Sequence, residues 1–170
     1  MRPSSPRIPV VTPDQFTEAQ AALVGSWDKY NFARMMVNHL ELYRAYLPFG
    51  DKLMGGSSLP HRDREIVILR TVGLCGDSYE ATHHQAIGRS LGLTEAEVAA
   101  AWRGGPGLSP PDQALASAVE ELSADHCLSE ETWAALSQRY SVEQMIELIF
   151  TVGNFTMLSM FTNSVGMASE

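Results

Sequence analysis

Four side chains able to move protons fall within one short run: Glu65, Asp77, Glu80 and His84, in EIVILRTVGLCGDSYEATHH. Glu80 and His84 are four apart, so a helix sets them on one face, one turn from each other. Asp77 stands three residues before Glu80, where such a helix would begin. Glu65 lies in a preceding segment that is otherwise strongly apolar, so its carboxylate is expected to be buried close to His84. An imidazole backed by a carboxylate can take a proton from a carbon next to a carbonyl, or return one. In this reading His84 shuttles the proton and Glu80 holds the ring. Glu65 relays a proton or raises the imidazole pKa by its charge.

Each of these residues also has a plainer reading. Asp77 and Glu80 form a D-x-x-E capping box, with Asp77 accepting from the Glu80 backbone N–H and both charges favouring the helix dipole. Capping does not explain a histidine one turn after Glu80. A Glu80–His84 pair on an open surface would contribute only a few tenths of a kcal/mol. Glu65 follows Arg62 and Arg64, and its plainer reading is a salt-bridge residue, but on so apolar a helix a buried carboxylate is favoured. His83 points to another side and is assigned a structural or solvated place. Carboxylate and imidazole together suit divalent metals, yet His83 and His84 diverge on a helix and no HxxxH spacing occurs. The expected chemistry uses no metal and no cofactor. His39 and His126 lack any acid–base spacing to the cluster and count as background.

The elements that must position these groups read as helices throughout. Thr12-Pro13-Asp14-Gln15 opens a helix to about Ser26. Residues 31–54 follow as helix with Phe32, Met35, Leu42 and Tyr46 among its anchors, kinked or divided by Pro48 and ended by Gly55-Gly56. After Leu59-Pro60 a helix apolar on nearly every side runs to about Cys75, as a central helix would. IVILR also suits a strand, but length and flanking charge favour helix. Gly76 stops it, and Ser78 to about Leu91 carries the Glu80–His84 face. Capping boxes at Thr94 and Ser141, a Ser109-Pro110 start and a Ser129 cap predict four more helices, the last reaching about Gly166. The two final helices hold more apolar surface than one buried side requires, which points to burial between subunits. Residues 1–30 read as an arm and first helix, and 31–170 as the helical body of one domain.

Composition narrows the function classes. A chain of 170 residues with 45% hydrophobic and 19% charged residues can bury a sizeable core. A net charge of −8, with basic residues scattered, argues against nucleic acid as a partner. No stretch approaches the roughly twenty apolar residues of a membrane span. The start MRPSSPRIPVV has no apolar core of signal-peptide length. A cytoplasmic protein with a small-molecule substrate is expected. Its two cysteines, Cys75 and Cys127, form no CxxC pair and read as small buried hydrophobes.

The run RDREIVILRTVGLCGDSYEATHH, followed by GLTEAEV, resembles the carboxymuconolactone decarboxylase family, which includes the alkyl hydroperoxidase D-type enzymes. The likeness extends from about Asn31 through VGNFTMLSMFTNSVGM and is strongest over residues 62–98. It implies an all-α, single-domain helical bundle of the alkyl hydroperoxidase D-like type, assembled as a homo-oligomer, a trimer or hexamer. Redox members of the family carry a Glu, a CxxC at the head of a helix, and a His one turn on. Laid on this chain, the Glu matches Glu65 and the His matches His84, while the two cysteine positions fall on Asp77 and Glu80. Cys75 lies two residues upstream and does not restore the motif, so thiol-dependent hydroperoxidase chemistry is disfavoured. Thiol-free relatives show YEW-x-HH. Here the pattern is Tyr79-Glu80-Ala81-Thr82-His83-His84, and loss of the indole at Ala81 is expected to enlarge or reshape a pocket. The catalytic residues implied are His84, Glu80 and Glu65, supported by Asp77, Tyr79, Ala81 and His83. The activity implied is a decarboxylase or lyase acting on a small enolisable carboxylic acid or lactone. An isomerase or cyclase using the same Glu-His pair, a small-molecule binding protein without turnover, and a purely structural oligomer are the other readings.

Overall fold

All ten residues from Asp63 to Val72 are buried, so the helix bearing Glu65 runs through the middle of the molecule. The computed structural model describes residues 2–170 and, among them, contains helices and no strand. The helices are α1 (Glu18–Val24), α2 (Asn31–Met36), α3 (Leu40–Met54), α4 (His61–Leu74), α5 (Ser78–Ser90), α6 (Glu95–Arg103), α7 (Pro110–Asp125), α8 (Glu130–Ser137) and α9 (Val142–Val165). Helix α4 is the hub, packed by α5, α6, α7 and α9. A helix apolar on every side is stable in water only when enclosed on every side, and α4 is. Its Val67 and Leu69 meet Leu115 and Leu148 in one cluster. Ile68 and Val72 meet Ala81 and Phe155 in another. Burial at this scale contributes roughly 1.5–3 kcal/mol per large apolar side chain. Gly73 permits the closest approach: a Cβ there would lie 1.9 Å from the Trp102 carbonyl oxygen on α6.

The predicted starts at Thr94, Ser109, Ser129 and Ser141 all form, each side chain accepting from the backbone N–H three residues on. Two earlier expectations are corrected. The Thr12 signal yields only one 3-10 turn, Pro13–Gln15, because Phe16 is extended; Thr17 then makes its own capping box with Gln20 and begins α1. The 31–54 segment divides at Val37–His39 rather than at Pro48, which sits inside an unbroken α3. His39 leaves helical geometry and its Nδ1 accepts from the Leu42 N–H at 3.3 Å, so this background histidine is the cap of α3.

Helix α9 also exceeds expectation. It is long and apolar enough to cross a membrane, with mean hydropathy 1.4 in its most apolar window, but 56% of that window is buried against the rest of the chain. Its outer stripe of Val142, Ile146, Phe150, Met157 and Met160 is exposed. The N-terminal arm lies on the helical body. The Arg7 N–H donates to the Val165 carbonyl at 2.9 Å, and Ile8 and Val10 pack beside Met35, Tyr79 and Met167.

Candidate functional site

The turn from α4 into α5 sets the site. Gly76, at φ +58°, lets the chain reverse in a conformation that side-chain-bearing residues rarely adopt. Asp77 then caps α5, its Oδ1 accepting from the N–H groups of Tyr79 (3.0 Å) and Glu80 (3.2 Å). Its other oxygen accepts from the Thr162 hydroxyl at 2.6 Å, tying the head of α5 to α9. The reciprocal half of the box is missing, because the Asp77 N–H donates to the Val72 carbonyl instead. Glu80 is thereby left free to turn inward. Farther along α5, Gly88 lets the helix lie close on α4: an added Cβ would stand 3.0 Å from Leu93 Cδ1 and 3.9 Å from Glu65 Cβ.

This packing brings Glu65 and His84 together in the interior, at 0% and 4% exposure. His84 Nδ1 and Glu65 Oε2 are 2.6 Å apart, and Arg64 donates to the other Glu65 oxygen at 3.3 Å. Nδ1 is thus the ring nitrogen engaged by Glu65, which leaves Nε2 as the other position. Glu80 Oε2 lies 3.7 Å from Nε2, beyond a direct hydrogen bond. The expected order of partners is therefore reversed: Glu65 holds the ring, and Glu80 stands at its working end. The Phe155 ring packs edge-on against the imidazole at 4.9 Å and 88°. Burial pushes the Glu80 carboxyl up to about 7; His84 draws it back, while Asp77 and Glu170 add to the rise.

A cavity of about 800 Å³ opens beside this pair. Its wall includes Glu80, His84, Phe32, Tyr43, Tyr46 and Phe155. The volume falls within the range of small-molecule sites. Tyr79 is also on the wall; its hydroxyl accepts from the Phe32 N–H at 3.1 Å and donates to Glu170 at 3.0 Å. His83 lies edge-on to the Tyr79 ring with Nε2 3.1 Å from Glu170 Oε2, a half-buried strut beside the cavity. Three of the predicted residues are not on the wall. Glu65 stands behind His84, so it positions the ring rather than touching a ligand. Asp77 is a cap. Ala81 is buried in one cluster with Ile68, Val72, Phe155 and Leu158, the last two of which line the cavity.

Sequence reasoning missed Asn154 and read Tyr46 merely as a packing anchor. Both line the cavity, and Asn154 is buried with Oδ1 unpartnered. An amide on the inward side of α9, between Thr151 and Ser159, was the available signal. Cys75 is half-buried, and burial pushes its thiol up, away from the reactive thiolate. It faces a separate cavity of about 510 Å³ that His84 and Glu80 do not line. Cys127 is exposed rather than buried as expected.

The carboxymuconolactone decarboxylase family profile matches residues 41–121, which hold Glu65, Glu80 and His84. Over that stretch the chain is similar to the carboxymuconolactone decarboxylase family. Two solved structures share its fold. One, from Ralstonia eutropha JMP134, is described as an alkylhydroperoxidase AhpD core and an uncharacterized peroxidase-related protein. It is 19% identical, with a TM-score of 0.81, and the match covers 97% of this chain and 92% of that one. The other, an uncharacterized peroxidase-related protein from Silicibacter sp. TM1040, is 16% identical with a TM-score of 0.78, over 98% and 93% of the two chains. No curated protein matches the sequence. At the two positions that the resemblance set against the thiol pair, Asp77 caps α5 and Glu80 lines the cavity.

Proposed function

We propose that the protein is a cofactor-independent acid–base enzyme acting on a small enolisable carbonyl compound. The first reading is a decarboxylase or lyase for a β-keto acid, vinylogous acid or lactone. One observation carries it: a buried imidazole fixed by Glu65 at 2.6 Å, with Nε2 and a Glu80 carboxyl near pKa 7 beside an aromatic cavity. In decarboxylation the bond from the α-carbon to the carboxylate breaks and its electron pair forms the enolate. Carbon dioxide leaves, and protonated Glu80 or His84 returns a proton to carbon. An apolar cavity disfavours the charged carboxylate relative to the dispersed charge that follows. Near neutrality Glu80 populates both forms, as a group that both gives and takes protons should.

A second reading, isomerisation or ring closure through the same enolate, is favoured by the charges on the wall. Lys52, the lysine lining the cavity, is already paired with Glu147 at 2.7 Å, so it does not stand ready for a substrate carboxylate. Both readings predict that the enzyme exchanges protons next to a carbonyl. Deuterium uptake from D2O into enolisable ketones, followed by mass spectrometry, measures this directly. His84→Ala and Glu80→Gln should each slow it by ~10²–10⁴. Full activity in both variants removes the proposal. Tight binding with no exchange in the wild type would identify a binding protein instead.

A further inference from the structure

Helix α9 turns several polar side chains inward, and most have a partner within the chain. Glu147 accepts from Ser57 and Ser58, the Thr151 hydroxyl donates to the Glu147 carbonyl, and Thr162 donates to Asp77. Asn154 differs. It is 4% exposed, on the cavity wall next to Phe155, and its Oδ1 accepts from nothing. A buried acceptor without a donor is costly to fold, which makes it informative where it faces an open cavity. Facing the same cavity from α3 is Tyr46, seated over Gly50, where an added Cβ would stand 3.1 Å from its ring. Burial pushes the Tyr46 phenol up to about 12, Asn154 draws it back, and Glu80 pushes it further up. Tyr46 therefore keeps its proton and lies within the electrostatic reach of Asn154 and of Glu80.

Together the two side chains present an unused acceptor and a protonated phenol. A hydroxyl matches this pair because it donates and accepts at one atom; an ether lacks the proton that Asn154 needs. With Lys52 already engaged and the wall mainly apolar, a neutral ligand fits better than a charged one.

We propose that Asn154 and Tyr46 anchor the hydroxyl of a neutral, mainly apolar hydroxy-ketone whose enolisable carbon faces Glu80 and His84. This rests on the cavity being the substrate site and on the second reading, isomerisation or ring closure, because a neutral ketone has no carboxylate to lose. It adds the substrate class. The test compares 4-hydroxyacetophenone with 4-methoxyacetophenone by titration calorimetry on the full chain. The wild type should prefer the hydroxyl probe by about tenfold. Asn154→Leu should bring the ratio near one, while Asn154→Asp, which keeps an acceptor, should retain the preference. Tyr46→Phe should reduce it, and decides the matter if circular dichroism shows Asn154→Leu unfolded. A wild-type ratio near one, no binding by either probe, or an unchanged ratio in Tyr46→Phe overturns the assignment. Deuterium uptake at the probe's methyl group tests the acid–base reading separately. Preference without uptake leaves the anchor standing and removes the catalytic reading.

Discussion

Glu80→Gln should make the protein more stable at pH 8 while lowering its activity. Burial raises the Glu80 carboxyl from the ordinary 4.5 to about 7. The folded state thus holds this proton more tightly than the unfolded chain does. Stability from this group is complete below about pH 4.5, declines as pH rises toward 7, and is level above that. The difference corresponds to roughly 3 kcal/mol at ~1.36 kcal/mol per pH unit. His84 draws the same carboxyl down against burial, so about 2–3 kcal/mol is the expected range. Glutamine keeps the shape and cannot ionise, so it removes the penalty without opening a cavity. Thermal unfolding at pH 5 and pH 8 reads the result. Between those values the wild type should lose about 2–3 kcal/mol relative to Glu80→Gln, several degrees in Tm for a domain of this size. Parallel pH profiles for the two proteins would refute the burial argument, and with it the near-neutral proton on Glu80.

Other perturbations test other links. Glu65→Gln should slow proton exchange by ~10² or more, and should abolish the low-field Nδ1 proton of His84 that a 2.6 Å bond produces in an NMR spectrum. A retained signal would mean that Glu65 does not hold the ring. Gly73→Ala should cost about 1–3 kcal/mol, because α4 and α6 must separate to admit the methyl group; an unchanged Tm refutes it. Alkylating Cys75 and Cys127 should leave exchange unaltered, and thiol-dependent peroxide turnover in the intact protein would revive the redox reading. Phe150→Glu, on the exposed stripe of α9, should lower the mass measured by light scattering from trimer or hexamer toward monomer. A monomeric wild type would refute that expectation.

Much of the architecture was legible in order along the chain. Side-chain caps at Thr94, Ser109, Ser129 and Ser141 and the stop at Gly76 are local signals, satisfied by atoms a few residues away. The continuous apolar run of α4 required a helix enclosed by its neighbours, because no side of it tolerates water. Spacing alone joined Glu80 to His84, since both lie on one helix. The break at His39 was hidden because its imidazole caps through a local bond that Pro48 overshadowed as a signal.

Tertiary packing decided the rest. Which carboxylate holds His84 depends on how closely α5 lies on α4, and Gly88 sets that distance. The near-neutral Glu80 follows from burial, which no residue type encodes by itself. Asn154 became a candidate anchor only when α9, α3 and α5 closed around one cavity and left its acceptor alone there. Sequence specifies which groups are present and which neighbours share a helix face; folding determines which groups from different helices meet, and how much water remains between them.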